Sequence, residues 1–390
     1  MIIKPKIRGF ICTTAHPVGC GANVAAAAEL AGKMQGIGPK SVLVIGSSAG
    51  YGLACRIAAM AGYGAATIGV SFEREASGNR TATAGWYNTA AFDKLANERG
   101  IPTVSINADA FAHETKDQVI EGIKSSMPGG KVDLVIYSLA APKRTDSSSG
   151  ESWSSVLKPI GNNFKGKTVD FHTGVVSEVE VGSATDEEIL DTVKVMGGQD
   201  WQMWMHSLNE SGVLAPRAVT VAFSYIGPEL THAIYKDGTI GRAKIHLEET
   251  AGEITEMLEP IGGRAFVSVN KALVTQASSA IPVVPLYISL LYRVMKDKNI
   301  HEGCTEQMVR MFERLYAGSP TDVPTDEAGR IRMDDWEMRG DVQAEVAQLW
   351  KRASSDTLGE IADLQGYRDD FYKLFGFGVD DVDYETDVDI

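Results

Sequence analysis

The run Val42-Leu43-Val44-Ile45-Gly46-Ser47-Ser48-Ala49-Gly50-Tyr51-Gly52-Leu53-Ala54 constrains this 390-residue chain more than any other stretch. An apolar, buried strand passes through a glycine turn directly into a helix. The same order then recurs. Candidate strands at Val42–Gly46, Ala65–Phe72, Thr103–Ile106 and Asp133–Ser138 are separated by helical stretches near Gly52–Ala61, Tyr87–Arg99 and Lys116–Ser126. Each helical stretch is long enough for a crossover between parallel strands. The pattern predicts an α/β fold with a doubly wound parallel sheet.

The theme resumes with an apolar strand at Ala218–Ser224, a short strand at Ala265–Val269 and a long amphipathic helix beginning near Val283. Between the halves, Ser147–Glu188 is rich in Ser, Gly, Thr and Asp, with β-branched runs such as Gly174–Glu180. This predicts a hairpin-bearing cap or lid that covers the substrate. The acidic end, Asp380–Ile390, is expected to trail along the surface.

Composition narrows the function classes. A net charge of -14 and a pI near 5.0 argue against nucleic acid, whose phosphates require basic surface. Nor does that balance favour an acidic carrier protein as partner, unless a local basic patch overcomes it. No stretch approaches the roughly 20 apolar residues that cross a bilayer. Met1 to Arg8 lacks the charged and apolar regions of a secretory signal, so the cytoplasm is the expected compartment. Cys12, Cys20, Cys55 and Cys304 are widely separated, and His301-Glu302 has no second histidine four residues on. Neither a disulfide framework nor a metal site is expected.

The glycine turn lets backbone approach a pyrophosphate, whose charge is favoured at the free N–H groups and positive end of the following helix. Its spacing, G-x-x-x-G-x-G, is similar to the short-chain dehydrogenase variant of the Rossmann-type fold. A packing turn is the plainer alternative. Glu73 follows the second strand, 21 positions after Gly52, near the offset of about 20 at which a carboxylate receives the adenosine ribose hydroxyls. A carboxylate there repels a 2′-phosphate and favours NADH over NADPH, although Arg74 beside it could accept that phosphate. Asp109-Ala110 and Ser138-Leu139-Ala140 follow the third and fourth strands, where ligands of such sheets collect. The first position suits the adenine ring and the second the nicotinamide ribose; for Asp109, a helix N-cap is the alternative.

Tyr235 and Lys244 stand nine residues apart. On one straight helix they would occupy opposite faces, roughly 13 Å apart along the axis. Asp237-Gly238 and Gly241 offer a break that lets both converge on one ligand. A nearby ammonium stabilises a tyrosinate and can also donate to a nicotinamide ribose. A surface lysine beside a half-buried tyrosine remains the plainer alternative. The whole chain, residues 1–390, is thus expected to form one large α/β domain. Residues 41–146 would be the first half of its dinucleotide-binding sheet, 147–188 the cap insertion, and 217–300 the Tyr/Lys segment with the remaining sheet.

Further motifs occur together: Ile7-Arg8-Gly9-Phe10-Ile11-Cys12, His16-Pro17, Gly85-Trp86-Tyr87-Asn88, Tyr137-Ser138-Leu139-Ala140, Val195-Met196-Gly197-Gly198, Tyr225-Ile226-Gly227-Pro228, Thr275-Gln276-Ala277-Ser278-Ser279-Ala280-Ile281-Pro282 and His301-Glu302-Gly303-Cys304. With the glycine turn and the Tyr/Lys pair, they make the chain resemble the FabV-type enoyl reductases over essentially its whole length. That family includes trans-2-enoyl-CoA reductases and enoyl-acyl-carrier-protein reductases.

The resemblance implies NADH-dependent reduction of the double bond of enoyl thioesters by a monomer. Tyr235 would be the proton donor, Lys244 a cofactor ligand, and Tyr225 the partner of the thioester carbonyl. Gly46, Ser47, Ser48, Ala49, Gly50, Tyr51, Phe72, Glu73, Asp109, Ala110, Leu139 and Ala140 would contact NAD, and Leu273, Val274 and Thr275 would line its nicotinamide side. The residues alone also admit a core aromatic at Tyr225, a helix N-cap at Thr275 and a plain core helix at Val283–Val294, the last being otherwise a wall for the acyl chain. Gly62–Thr67 and Ala140–Asp146 resemble the CoA-reductase branch, so enoyl-CoA is the expected substrate and an acyl-carrier-protein thioester the alternative. Two readings from outside this chemistry are a nucleotide-sensing regulator, expected to lack the tyrosine or the lysine, and a carbonyl reductase.

Overall fold

The structure, a computed structural model, describes every residue from Met1 to Ile390 except Phe10 and the side chain of Ala280. Both lie in the quoted motifs. Helix α1 (Pro17–Ala31) opens with proline at its first position, where no N–H is needed, and His16 accepts the Gly19 N–H through Nδ1 at 3.2 Å. Strands β1 (Ser41–Ile45), β2 (Ala66–Ser71), β3 (Thr103–Asn107) and β4 (Val132–Tyr137) follow, joined by α2 (Gly50–Ile57), α3 (Ala84–Glu98) and α4 (His113–Ser126). The insertion carries an antiparallel hairpin of β5 (Phe164–Asp170) and β6 (Val175–Val181). After α5 (Asp186–Met196) and α6 (Gln199–Glu210) come β7 (Leu214–Ser224), α7 (Thr239–Leu258) and β8 (Arg264–Val269). The chain ends with α8 (Val284–Asp297), α9 (Cys304–Tyr316), β9 (Ile331–Arg332), α10 (Gly340–Arg352) and α11 (Leu364–Lys373).

Seven of these strands form one all-parallel sheet in the order β9-β8-β7-β4-β1-β2-β3. This is the doubly wound Rossmann-type sheet expected from the sequence. Because strand order reverses between β1 and β4, a crevice opens at their carboxyl ends, where ligands of such sheets bind. One apolar layer under α1, α2, α3 and α9 covers one face of the sheet, and another under α4, α6 and α7 covers the other. A third core surrounds α8, of whose 14 residues 11 are buried, and it takes in Val169 and Phe171 beside the hairpin as well as α10 and α11. So complete an enclosure makes α8 a core helix along most of its length.

Three features depart from expectation. The sheet extends past residues 217–300: β7 begins at Leu214, ahead of a register shift that contains Arg217 at φ 62°, and β9 adds an edge strand beyond residue 300. Helix α2 starts two residues before Gly52 and widens into a π-turn at Ala58–Gly62. The acidic tail does not trail. Met1 and Val388 exchange backbone hydrogen bonds, Glu385 pairs with Lys4, and the Tyr384 ring packs edge-on against His16 at 4.8 Å. No described helix is long and apolar enough to cross a membrane.

Candidate active site

At the end of β1, Gly46 adopts φ 87°, and a Cβ there would lie 2.2 Å from the Ser138 carbonyl oxygen, so only glycine lets β1 and β4 approach this closely. Gly50, at φ 53°, opens α2 with nothing within 4 Å of a built Cβ. The cap residue Ala49 offers no side-chain acceptor, so the first N–H groups of α2 keep their donors for an anion. Ser47 turns inward, with its N–H and its hydroxyl both donating to the Val70 carbonyl, at 3.0 and 3.2 Å. Tyr51 is also engaged, donating to the Lys271 carbonyl at 2.8 Å and accepting from Gln307 at 2.9 Å.

Beyond β2, Ser48 donates to Glu73 Oε1 at 2.6 Å, which sets the carboxylate over the glycine turn. Asn107 brackets the Glu73 backbone with two hydrogen bonds of 2.7 and 2.9 Å. Arg74 points elsewhere: its guanidinium donates to the carbonyls of Glu75 and Thr81. Phe72 is 77% exposed, an unusual position for a large apolar ring and one suited to a flat heterocycle. Asp109 does not cap α4, whose cap is Ala112; its Oδ1 instead accepts the Phe111 N–H at 2.9 Å and closes a local turn. The Ala110 carbonyl accepts from Trp204 Nε1 at 3.1 Å and from Lys116 Nζ at 3.2 Å.

The chemical end lies past β7. A single helical turn, Glu229–His232, precedes Tyr235, and a new helix, α7, starts at Thr239 and carries Lys244. Within that bend a Cβ on Gly241 would meet the Lys236 carbonyl oxygen at 1.7 Å. The break expected between the two residues is therefore present. Lys244 Nζ donates to the Phe223 carbonyl at 2.9 Å, while the Tyr235 ring packs edge-to-face on Tyr225 with centroids 5.0 Å apart. Both thus converge on the last residues of β7. Among the described residues the Tyr235 hydroxyl has no protein hydrogen-bond partner. Burial raises the Tyr235 pKa above the usual phenol range, so the group holds its proton; burial likewise lowers Lys244 to about 8. Desolvation, and not a stabilising ammonium, therefore governs the phenol. Leu139 is half-buried and Ala140 exposed beside the crevice. Leu273 and Val274 are buried beyond β8, and Thr275 Oγ1 accepts the Ser278 N–H at 3.1 Å, capping a short turn.

Sequence reasoning missed two buried clusters. Glu337, fully buried, accepts from Tyr287 at 2.7 Å and Tyr225 at 3.2 Å on Oε1, and from the Ala272 N–H at 2.7 Å on Oε2. Asp200, 1% exposed, accepts from Lys116 at 3.0 Å and from Tyr137 at 3.0 Å. Their partners lie 50 to 112 residues away in sequence, a separation that no local pattern reveals. An isolated acid between apolar residues, as in Trp336-Glu337-Met338, was the one available hint.

A parallel sheet with a glycine turn at its switch point, and a tyrosine and a lysine that both reach the end of a neighbouring strand, defines a dinucleotide-dependent oxidoreductase. The described match "Trans-2-enoyl-CoA reductase catalytic region" covers residues 80–316, and "NAD(P)H binding domain of trans-2-enoyl-CoA reductase" covers residues 2–78. The chain belongs to the trans-2-enoyl-CoA reductase family. It is 58% identical over 394 residues to an enoyl-[acyl-carrier-protein] reductase [NADH] of Coxiella burnetii (strain CbuG_Q212), spanning 100% of this chain and 96% of that one. To a trans-2-enoyl-CoA reductase [NADH] of Ruminiclostridium cellulolyticum it is 56% identical over 392 residues, spanning 100% and 98%. Its structure matches that of Clostridium acetobutulicum trans-2-enoyl-CoA reductase in complex with NADH with a TM-score of 0.96 at 46% identity, covering 100% and 98% of the two chains. The Treponema denticola enzyme in complex with NAD matches with a TM-score of 0.94 at 49% identity, again covering 100% and 98%.

A third match, described as "Enoyl reductase FAD binding domain", covers residues 325–388. The residues there do not fit a flavin dinucleotide. The stretch has no strand–glycine-turn–helix unit, it carries 17 acidic against 7 basic side chains, and α10 and α11 press their apolar faces into the third core.

Proposed function

We propose that this chain uses NADH to reduce the C2–C3 double bond of trans-2-enoyl-CoA thioesters, acting as a cytoplasmic monomer. The observation that carries the reading is that the Tyr235 ring packs on Tyr225 and Lys244 bonds the Phe223 carbonyl, which gathers all three at the end of β7, two strands from the glycine turn. When bound, the nicotinamide supplies a hydride to C3 of the enoyl chain. Negative charge then develops on the thioester oxygen, where the Tyr225 hydroxyl donates and lowers the barrier, as a preorganised oxyanion site does. Tyr235, whose hydroxyl has no partner among the described residues, delivers the proton to C2. Lys244, held by the Phe223 carbonyl, donates to the nicotinamide ribose.

Glu73 receives the adenosine ribose hydroxyls, and the hydrogen bonds of Arg74 to the Glu75 and Thr81 carbonyls turn that cation away from a 2′-phosphate. Four free cysteines suit a reducing compartment. The site is built within one chain, in keeping with a monomer. An acyl-carrier-protein thioester is the rival substrate, and the net charge of -14 weighs against docking an acidic carrier.

NADH oxidation with matched crotonyl thioesters of CoA and carrier protein tests this reading. Preference for the carrier protein would reverse the choice of substrate. Tyr235→Phe should bind NADH normally, measured by its fluorescence, and lose about 10²- to 10³-fold in kcat. An unchanged rate would remove Tyr235 from the chemistry, and an alcohol as product would point to carbonyl reduction.

A further inference from the structure

The stretch that fails to fit a flavin sends one side chain into the active site. Glu337 meets the Tyr225 hydroxyl from below, and its cluster is tied together by Gln343, which donates to Tyr287 Oη at 3.1 Å and to the Glu337 carbonyl at 2.7 Å. Among the described residues no lysine or arginine nitrogen lies within 4.0 Å of the carboxylate. Lys271, buried behind it, donates to the Ala272 carbonyl at 3.1 Å. At 3.2 Å the contact with Tyr225 is long for an O–H···O bond, whereas the 2.7 Å contact with Tyr287 is of full strength. The Tyr225 bond is therefore the one an incoming group can displace.

A phenol owns one proton, and an ionised carboxylate can only accept. With Glu337 ionised, the Tyr225 proton points down into the cluster and oxygen lone pairs face the crevice, where they repel a carbonyl. With Glu337 protonated, the carboxyl donates to Tyr225 Oη and the phenol proton is free to turn outward. We propose that Glu337 is the positioning residue for Tyr225, and that the proton on Glu337 decides whether the Tyr225 hydroxyl is offered to the thioester carbonyl or withheld. This rests on the reading of Tyr225 as the carbonyl partner. No proton leaves the set during turnover; the two hydrogen bonds tighten in sequence as charge grows on the thioester oxygen, and the C2 proton still comes from Tyr235.

The groups facing Glu337 are Tyr225 after β7, Tyr287 on α8, Lys271 after β8, Tyr51 on α2 and Asp334 on its own segment. Burial, aided by Asp334, outweighs the Tyr287 and Ala272 hydrogen bonds and Lys271, and holds the carboxyl above its usual range. The protonated form is thereby brought nearer to neutral pH.

The experiment compares kcat/KM for crotonyl-CoA between the native protein and Glu337→Gln from about pH 6 to about pH 9. The glutamine amide donates at every pH, so the native-to-variant ratio should fall by about tenfold for each pH unit above the point at which Glu337 loses its proton. Groups common to both proteins, Lys244 and Tyr235 included, cancel in the ratio. A ratio independent of pH overturns the proposal. In a Tyr225→Phe background the glutamine should have no pH-dependent effect, and persistence of one would likewise overturn it. Tyr225→Phe alone separates the two readings: if it leaves turnover unchanged, Tyr225 is not the carbonyl partner and the reading beneath the proposal fails. Tyr287→Phe gives an independent measurement should Glu337→Gln fail to fold. Removing the stronger donor to Glu337 should move the alkaline fall of kcat/KM up by about one pH unit, and an unmoved profile counts against Glu337.

Discussion

Asp200 and Glu337 are both buried carboxylates that accept a tyrosine hydroxyl, yet only one has a cation in contact. Asp200 lies under the loops that follow β3 and β4, with Lys116 at 3.0 Å, and the same lysine donates to the Ala110 carbonyl while Tyr137 ends β4. Its charge is balanced on the spot, and the pair ties two cofactor-side loops to α6. Among the described residues Glu337 accepts hydrogen bonds from neutral donors alone, with Lys271 acting on it from farther off. Two chemically similar clusters therefore serve different ends: a balanced pair fixes geometry, whereas an unbalanced acid can gain or lose a proton with pH.

The largest expected effect breaks the balanced pair. Asp200→Ala strands a buried ammonium and should destabilise the fold by about 3–5 kcal/mol in denaturant unfolding. Lys116→Met combined with Asp200→Leu should recover most of that loss, because both charges are then gone. If Asp200→Ala proves no worse than Glu337→Gln in the same assay, the contrast between the two carboxylates is false.

Glu73, a carboxylate at the cofactor face and not buried, sharpens the comparison from a third side. Glu73→Gln should shift the NADPH-to-NADH ratio of kcat/KM by about tenfold toward NADPH, since repulsion of a 2′-phosphate disappears while the amide can still accept from Ser48. An unaltered ratio would assign cofactor choice elsewhere.

The smallest effect concerns Lys244, a cation with no carboxylate in contact. Burial lowers it to about 8, so the free protein carries an ammonium below that pH and an amine above it. The apparent KM for NADH should rise roughly three- to fourfold between about pH 7 and about pH 8.5. Flat behaviour across that window would mean that the Lys244 charge contributes nothing to cofactor binding.

Much of the sheet was legible because its strands are covered on both faces and read as unbroken apolar runs; β1, β2, β3 and β4 fall within two residues of expectation at each end. Helix α1 was not, because Ala25-Ala26-Ala27-Ala28 and its neighbours carry no apolar stripe, and β9, two residues long, shows no period at all. At the site, the glycine turn and the Tyr235–Lys244 bend follow from local chemistry, and Glu73 from its offset after that turn, whereas the hydrogen bonds that set its carboxylate and its backbone come from Ser48 and Asn107. The inward turn of Ser47, the engagement of the Tyr51 hydroxyl and the reach of Glu337 do not, because each depends on a partner brought near only by the tertiary fold. For Thr275 and Asp109 the alternative to ligand contact is a helix N-cap; Thr275 caps a short turn, whereas Asp109 closes a local turn and leaves the cap of α4 to Ala112.

Strand β7 supplies the Phe223 carbonyl to Lys244 and, two residues on, the backbone that bears Tyr225. The carbonyl that anchors Lys244 and the backbone that bears Tyr225 are thus held about 7 Å apart on one extended stretch of chain, so the anchor and the base of the phenol keep a fixed separation. Breathing of α7 can move the lysine itself, but the Phe223 carbonyl to which it returns stays at that separation from the Tyr225 backbone. An insertion or deletion between residues 223 and 225 would therefore be harsher on turnover than a much longer change in the hairpin loop.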